Sequence, residues 1–283
     1  MNLKQAKTQK YMLELAVLNE SLYGAWRIIL SKRERLNIRL KSSFGSRSEV
    51  VTDLDIIINQ FIGEKILEAF PRDVVIGEEG AYNFANSADR FWLVDPIDGT
   101  RSFIKNTRGS SVMVALVQDR QPVLSGVLDI STGVTVIAGP FGTSVQGPSS
   151  ETDDFLSRSS RKKATLGERG VVISNPFSKI NLASGIYSNL KSLMIESTGL
   201  RAIELCKHKS GFFVSRPNSS KIWDTAPAQV LLDLYGANYT DLNGNRLQYQ
   251  PSQKVNQMGA VASIGIDHNE LLYQLGKMQS FKI

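Results

Sequence analysis

The segment best equipped for chemistry is Asp95-Pro96-Ile97-Asp98-Gly99-Thr100. It follows four apolar residues, 91–94, whose continuous run predicts a buried strand that ends on the first aspartate. Because proline cannot extend a strand ladder, Pro96 predicts that a turn begins there. Two carboxylates three residues apart beside a tight turn are hard oxygen donors that suit a divalent cation.

The same turn offers donors for an anion. Gly99 and Thr100 lead into Arg101-Ser102, where free backbone N–H groups could bind a phosphate. A cation beside a phosphate cradle is typical of phosphatases and of nucleotide-handling enzymes. Thr100 also has a structural interpretation, as the cap of a helix that begins at Arg101.

Two further acidic segments could converge on this turn. Glu78-Glu79 follows a strand predicted over 74–77, and Asp224 opens a helix predicted over 223–235. Phosphate-ester hydrolysis needs an activated water and positive charge over the departing oxygen, and two cations about 4 Å apart supply both. Such a pair needs shared oxygen ligands, and the candidates are Glu78, Asp95, Ile97 (through its carbonyl), Asp98 and Asp224.

Each of these carboxylates, considered alone, could have a purely structural role instead of binding a metal. Glu78-Glu79 could be a solvated turn, and the aspartates of residues 95–100 could bond nearby N–H groups. Asp224 is suited to cap the helix that follows it. Asp55 is suited to pair with Thr52 in a capping box. The spacing alone leaves these alternatives open.

The secondary-structure elements that must position these residues are a mixture of predicted helices and strands. Apolar spacing predicts helices over 11–30 and 53–70, the second stopped by Pro71. The segment 139–170, rich in glycine, serine, proline and arginine, predicts a loop-rich boundary between halves 1–145 and 146–283. This mixture predicts an α/β or layered α+β architecture. Further strands are predicted over 91–95, 111–118, 123–130, 134–139, 171–174, 212–214 and 258–264, and further helices over 181–192 and 199–206.

Composition narrows the function classes. Of 283 residues, 42% are hydrophobic and 21% are charged, as in ordinary globular proteins. No apolar run reaches about 18 residues, and the polar start, 1–10, lacks a signal peptide's apolar block, so we expect a cytoplasmic protein without membrane contact. One cysteine and two histidines disfavour disulfides and multi-histidine zinc sites, which leaves Mg²⁺ or Mn²⁺ as the expected metal.

The net charge of +6 suits an anionic ligand. The basic clusters are not interleaved with stacking aromatics, so we expect a small anionic phosphate ester as partner and no nucleic acid polymer.

The motif set resembles that of the inositol monophosphatase family of Mg²⁺-dependent, lithium-sensitive phosphatases. The matching segments are Gly77-Glu78-Glu79, Asp95–Thr100 and Trp223-Asp224-Thr225-Ala226, with Val51–Asp55 upstream. The resemblance implies an αβαβα sandwich of two similar-sized parts, usually a homodimer, with the active site between the parts. It also implies direct in-line attack by metal-activated water without a covalent intermediate.

The resemblance assigns roles to individual residues. Glu78, Asp95 and the Ile97 carbonyl would hold the first Mg²⁺, and Asp95, Asp98 and Asp224 the second. Glu79 would help to position a third, weaker ion.

Three residues are implied as catalytic, namely Thr100, Asp55 and Glu78. Thr100, oriented by Asp55, would position and activate the water, and the N–H groups of Gly99 and Thr100 would bind the phosphate oxygens. The implied substrate-binding set is Asp98, Gly99, Thr100 and Asp224.

The residues after the motif bear on the substrate. Residues 98–105 read Asp-Gly-Thr-Arg-Ser-Phe-Ile-Lys, whereas inositol phosphatases commonly have Asn at the position of Ser102. The run looks more like the 3′(2′),5′-bisphosphate nucleotidase branch, although that branch usually has glutamate there. The resemblance favours 3′-phosphoadenosine 5′-phosphate over inositol 1-phosphate, with fructose 1,6-bisphosphate third. Basic residues that could bind a second phosphate are Arg101, Lys105 and Lys221.

Three other classes of protein share parts of this pattern. Haloacid-dehalogenase phosphatases also use an Asp-x-Asp-Gly-Thr motif, but with the aspartates two apart on the first strand and the first as nucleophile. A non-catalytic phospholigand-binding protein would be expected to lack a metal ligand or Thr100. A basic nucleic-acid-binding module would show steep salt dependence.

Overall fold

Two β-sheets, with helices between them and on their outer faces, build the protein. The computed structural model describes residues 3–33, 37–41, 49–148, 170–176 and 190–278. The helices within these ranges are α1 Leu3–Lys10, α2 Met12–Lys32, α3 Asp53–Ala69, α4 Thr100–Ile104, α5 Thr198–His208, α6 Ile222–Leu234 and α7 His268–Lys277.

The larger sheet has seven strands in the order β4-β3-β5-β6-β7-β8-β9, and it is antiparallel except where β3 pairs with β5. Its strands are β3 Val74–Gly77, β4 Gly80–Tyr82, β5 Arg90–Asp98, β6 Ser111–Gln118, β7 Gln121–Asp129, β8 Thr135–Gly139 and β9 Gly142–Gln146. A separate two-stranded ribbon precedes it, formed by β1 Ile38–Lys41 and β2 Glu49–Thr52.

The second sheet has five strands in the order β11-β10-β12-β14-β13. Strand β10 pairs in parallel with both β11 and β12, and the other two pairings are antiparallel. Its strands are β10 Val171–Ser174, β11 Lys191–Met194, β12 Gly211–Ser215, β13 Asn238–Thr240 and β14 Ala260–Ile264.

Alternating side chains on the strands bury both faces of each sheet. On β5, Trp92 and Val94 join the core under α2 and α3, whereas Phe91 and Leu93 join the core that contains α5 and α6. That second core also includes inner-face residues of the five-stranded sheet, whose outer face packs on α7. The layer order is helix, sheet, helix, sheet, helix, which confirms the αβαβα sandwich.

Most predicted elements are confirmed, with ends that agree to within three residues. The helices predicted over 11–30, 53–70, 199–206 and 223–235 are α2, α3, α5 and α6. The predicted strands after residue 70 correspond to β3, β5, β6, β7, β8, β10, β12 and β14.

Three expectations are wrong in detail. Strand β5 does not stop before Pro96 but runs to Asp98, because the proline lies in a bulge. Residues 142–146 of the predicted loop-rich boundary form β9, and the end of the helix predicted over 181–192 is strand β11. Residues 149–169 and 177–189 lie outside the described ranges. The predicted elements omitted α1, α7, β4, β13 and the β1-β2 ribbon.

The core joins chain segments from both predicted halves. Helix α6 packs on the seven-stranded sheet as well as against β13, and its residues share one apolar cluster with β5 and β14. The division into 1–145 and 146–283 stays a proposal. Within the described ranges, no helix is long and apolar enough to cross a membrane.

Candidate active site

A bulge at the end of β5 brings the two aspartates of the motif to the same side of the strand. Asp95 pairs with Met113 on β6, but Asp98 pairs with Ser111, so three steps on β5 match two on its neighbour. In a regular strand, residues three apart point to opposite faces. The extra residue restores a common side, and the two carboxylates interact electrostatically.

Asp95 is the most enclosed carboxylate. It is 1% exposed, and its Oδ1 atom has no hydrogen-bond partner among the described residues. Burial raises its pKa well above the usual range, and the neighbouring charges of Asp98, Glu78 and Asp224 raise it further. An unpartnered, buried carboxylate oxygen is costly unless a cation or a proton satisfies it.

Asp98 is held by the start of helix α5. Its Oδ2 accepts the backbone N–H of Thr198 at 2.5 Å, and Ser197 donates its hydroxyl to the same carboxylate. The side chain of Asp98 is partly buried. Burial and the charge of Asp224 raise its pKa to about 7, although Arg201, Ser197 and the Thr198 N–H act in the opposite direction.

Asp224 lies in the first turn of α6. The sequence suggested a cap at the start of this helix, but the helix begins at Ile222, and Asp224 Oδ2 accepts the backbone N–H of Lys221 at 2.8 Å. Burial raises the pKa of Asp224. Its carboxyl group is close enough to Asp95 to share a hydrogen bond when one of the two is protonated.

Glu78 reaches the cluster from the end of β3. Its backbone N–H donates to Val94 O on β5 at 3.1 Å, and its charge raises the pKa of Asp95. The turn sits tightly on α3, since a Cβ at Gly77 would lie 1.8 Å from Asn59 Oδ1. A side chain at Gly77 would therefore displace the Asn59 side chain of α3 beside the segment that carries Glu78.

The predicted phosphate cradle lies directly after the bulge. Gly99 adopts φ +87°, and a Cβ there would lie 2.5 Å from Gly109 O, so two constraints require glycine. The N-cap of α4 is Gly99, and Thr100 is the first residue of the helix. The interpretation of Thr100 as the cap is therefore wrong by one residue. The Thr100 hydroxyl donates to Ile97 O at 3.0 Å.

Asp55 lies close to the site but is engaged in capping α3. Its Oδ2 accepts both the backbone N–H of Thr52, at 2.8 Å, and the Thr52 hydroxyl, at 2.6 Å. Burial raises its pKa to about 6 despite these bonds, and the charge of Glu79 adds to the increase. The predicted orientation of Thr100 by Asp55 stays a prediction.

The residues present fit a hard divalent cation. Across the described ranges, no three His, Cys, Asp or Glu side chains form a ready-made metal cage. The charges of Glu78, Asp98 and Asp224 nevertheless all raise the pKa of Asp95, and carboxylate oxygens are the donors that Mg²⁺ and Mn²⁺ prefer. The unpartnered Oδ1 of Asp95 is the atom that a cation would satisfy.

Residues 196–201 also contribute to the site, although the sequence motifs do not indicate them. Glu196 accepts the backbone N–H of Ser102 at 2.7 Å, and Ser197 and Thr198 bind Asp98. Arg201 is buried in the same turn. The available signals were the Ser-Thr-Gly start of a helix and an arginine within an otherwise apolar helical face.

The fold and this arrangement define a phosphatase, a hydrolase that acts on phosphoric monoesters. The sequence pattern of the inositol monophosphatase family matches residues 11–274, and the chain belongs to that family.

Curated relatives in this family have different named activities. The 3′(2′),5′-bisphosphate nucleotidase CysQ of Aggregatibacter actinomycetemcomitans is 29% identical over 212 residues, covering 70% of this chain and 74% of the relative. The fructose-1,6-bisphosphatase/inositol-1-monophosphatase of Aquifex aeolicus is 28% identical over 219 residues, covering 71% of this chain and 79% of the relative. The two relatives are thus named for different phosphate esters.

Solved structures agree with the fold. An inositol monophosphatase/NADP phosphatase complexed with Mg²⁺ and phosphate superposes with a TM-score of 0.76 at 19% identity, over 98% of this chain and 99% of that chain. The sandwich is therefore the fold of that phosphatase.

Proposed function

We propose that the chain is a Mg²⁺-dependent phosphatase whose preferred substrate is 3′-phosphoadenosine 5′-phosphate. The proposal is supported by the bisphosphate nucleotidase CysQ among the relatives. It is also supported by the basic and apolar run that follows the motif, Arg101 to Lys105.

One observation carries the metal dependence: the buried, unpartnered Oδ1 of Asp95 among three other carboxylates. We assign Glu78, Asp95 and the Ile97 carbonyl to one Mg²⁺, and Asp95, Asp98 and Asp224 to a second. When bound, these ions would make water a stronger nucleophile and offset the charge on the departing oxygen.

The chain's own groups orient the phosphate. The left-handed backbone at Gly99 turns the chain into α4, so that the N–H groups of Gly99 and Thr100 are assigned to the phosphate oxygens. The Thr100 hydroxyl, which donates to Ile97 O, is assigned to position the attacking water. Asp55, which caps the start of α3 through Thr52, is assigned to orient Thr100.

Basic residues beside the cradle suit a second phosphate. Arg101 and Lys105 lie on or next to α4, and Lys221 directly precedes the helix that carries Asp224. Guanidinium and ammonium groups bind phosphate by charge-assisted hydrogen bonds. A substrate with two phosphates would gain more from these residues than a monophosphate would.

The second candidate is an inositol-1-monophosphatase, with fructose-1,6-bisphosphatase third. The Aquifex aeolicus relative, which is named for both activities, supports keeping them. A non-catalytic phospholigand-binding protein is disfavoured because Glu78, Asp95, Asp98, Thr100 and Asp224 are all present.

The test is phosphate release from 3′-phosphoadenosine 5′-phosphate, inositol 1-phosphate and fructose 1,6-bisphosphate with Mg²⁺, with and without Li⁺. We expect lithium-sensitive release that is fastest with the bisphosphate nucleotide. The variants Arg101→Gln and Lys105→Gln should slow the nucleotide reaction more than the inositol phosphate reaction. Arg246→Gln, in a surface ion pair with Asp233, is the matched control. No release from any substrate with Mg²⁺ or Mn²⁺ would contradict the proposal.

We also propose a homodimer, following the family resemblance. Several large apolar side chains of α2 are exposed in the single chain, namely Met12, Leu13, Tyr23 and Leu30. Light scattering of the purified protein measures the mass directly, and a monomer at micromolar concentration would contradict the proposal.

A further inference from the structure

A buried arginine lies beside the carboxylate cluster. Arg201, in the first turns of α5, is 4% exposed. Its Nη2 donates to Thr198 Oγ1 at 2.7 Å, its Nε donates to Ser197 O at 3.4 Å, and its guanidinium lies 5.1 Å from the Phe213 ring centroid. Arginine is seldom buried so completely unless negative charge balances it.

The balancing charges are residues of the candidate active site. Burial lowers the pKa of Arg201, whereas Asp98, Asp224 and Glu196 raise it, and the guanidinium stays a cation. The link to Asp98 is short: Thr198 accepts from Arg201 through its hydroxyl and donates to Asp98 through its N–H. Arg201 therefore places fixed positive charge beside the two aspartates assigned to the second Mg²⁺.

We propose that Arg201 is an internal counter-cation of this cluster, a positioning residue that stabilises the metal-free site and competes with the divalent cation at Asp98 and Asp224. The inference rests on the proposed function, since it presupposes that cation.

Glu196 keeps the charge of Arg201 balanced both with and without a bound cation. It is not among the assigned ligands, and its carboxylate is fixed by the Ser102 N–H at 2.7 Å. When Asp98 and Asp224 are engaged by a cation, Glu196 still offsets the guanidinium charge. Removing one member of a buried set of charges leaves the others uncompensated. Loss of Arg201 should then weaken the metal-free fold and strengthen cation binding, two effects of opposite direction.

The test compares Arg201→Met with the wild-type protein after removal of metal. Isothermal titration with Mn²⁺ gives the dissociation constant, and urea unfolding with and without Mg²⁺ gives the stability. We expect Mn²⁺ to bind at least about tenfold more tightly to the variant, because a buried unit positive charge beside the cluster repels a divalent cation even at an effective dielectric constant of about 20. The urea midpoint should fall without metal and return towards the wild-type value with Mg²⁺.

Two variants separate charge from packing. Arg201→Lys keeps the charge and should bind Mn²⁺ as the wild type does. Arg90→Met removes another partly buried arginine, one that pairs with Glu14 and Asp73 away from the site. It should lower stability without changing Mn²⁺ affinity.

The outcomes distinguish this inference from the proposed function. Wild-type protein that binds no Mn²⁺ overturns the proposed metal site and the inference with it. Wild-type binding with equal or weaker affinity in Arg201→Met overturns the inference alone. If Arg201→Met is unfolded without metal, circular dichroism should show folding when Mn²⁺ is added, and a variant that stays unfolded with Mn²⁺ also overturns the inference.

Discussion

The end of β5 and the start of α5 contribute to the same site in different ways. Residues 95–100 supply carboxylates and a glycine turn, built by a bulge and a left-handed backbone within one short segment. Residues 196–201 supply N–H, hydroxyl and guanidinium groups that reach the first segment across a separation of 100 residues. The two aspartates and the glycine turn of residues 95–100 are local in sequence, whereas the groups that balance their charge are brought there by the tertiary fold.

Substitutions in the two regions should therefore affect different properties of the protein. Changes at the β5 end should remove activity, because they remove ligands or displace the phosphate cradle. Changes at the α5 start should alter stability, metal affinity and pH dependence, because they alter how the carboxylates are balanced.

The largest effect is expected from Asp95→Asn. The substitution removes the buried carboxylate charge that both cations would share, and several kcal/mol of lost charge stabilisation corresponds to roughly a thousandfold in rate. The metal-free fold should be at least as stable as the wild type, since an unpartnered buried carboxylate is gone. Phosphate release and urea unfolding measure the two quantities, and near-normal turnover would contradict the assigned ligand role.

Gly99→Ala should have the next largest effect. A side chain at φ +87° is strained by about 1–3 kcal/mol, and its Cβ would also collide with Gly109 O. Because displacement of the cradle by about 1 Å can cost roughly a hundredfold in rate, kcat should fall even where the protein stays folded. Steady-state kinetics on the folded fraction check this, and Gly236→Ala, with no atom within 4 Å of its Cβ, is the left-handed control.

The third effect is a pH dependence of the metal-free fold. The pKa of Asp98 rises from 3.8 to about 7 on folding, so its protonated form is favoured in the folded state. This contribution to stability is fully present below 3.8 and is lost as the pH rises through about 7. The urea midpoint should therefore fall between mildly acidic and mildly alkaline buffer.

Saturating Mg²⁺ should flatten that pH slope, because bound cations hold the carboxylates ionised. Asp98→Asn should make the slope shallower without metal, while Asp55, Asp95 and Asp224, whose pKa values burial also raises, still contribute. An unchanged slope in this variant would show that Asp98 is not the group responsible.

The smallest effect is expected from Ser197→Ala at the α5 start. Ser197 caps the helix through Leu200 N–H and donates to Asp98, so its loss should cost about 1 kcal/mol of stability. Because the Thr198 N–H still holds Asp98, kcat should fall by no more than about tenfold, the lower limit for loss of a group that orients a ligand. A fall in kcat as large as that expected for Asp95→Asn would contradict the proposed difference between the β5 end and the α5 start.

Local chemistry made the β5 end predictable from sequence. The strand, the two aspartates and the glycine turn follow from the order of residues alone, and so does the capping box of Thr52 and Asp55. The bulge was not predictable, because Pro96 is equally compatible with a strand end. Only the pairing of Asp95 and Asp98 with β6 shows that the ladder continues.

The α5 start was not predictable for a different reason. Ser197 and Thr198 have the sequence of an ordinary helix start, and Arg201 by itself does not identify its partners. Their roles depend on packing α5 between the two sheets, which brings Thr198 to Asp98. Sequence alone therefore showed the candidate ligands but not the groups that balance them.

The most direct test of the central claim is phosphate release from 3′-phosphoadenosine 5′-phosphate as Mg²⁺ is titrated into metal-free wild-type protein and the Asp95→Asn variant. The account predicts no release without metal, saturable activation of the wild type, and no activation of the variant. Release by the wild-type protein in excess chelator, or equal activation of the variant, would contradict it.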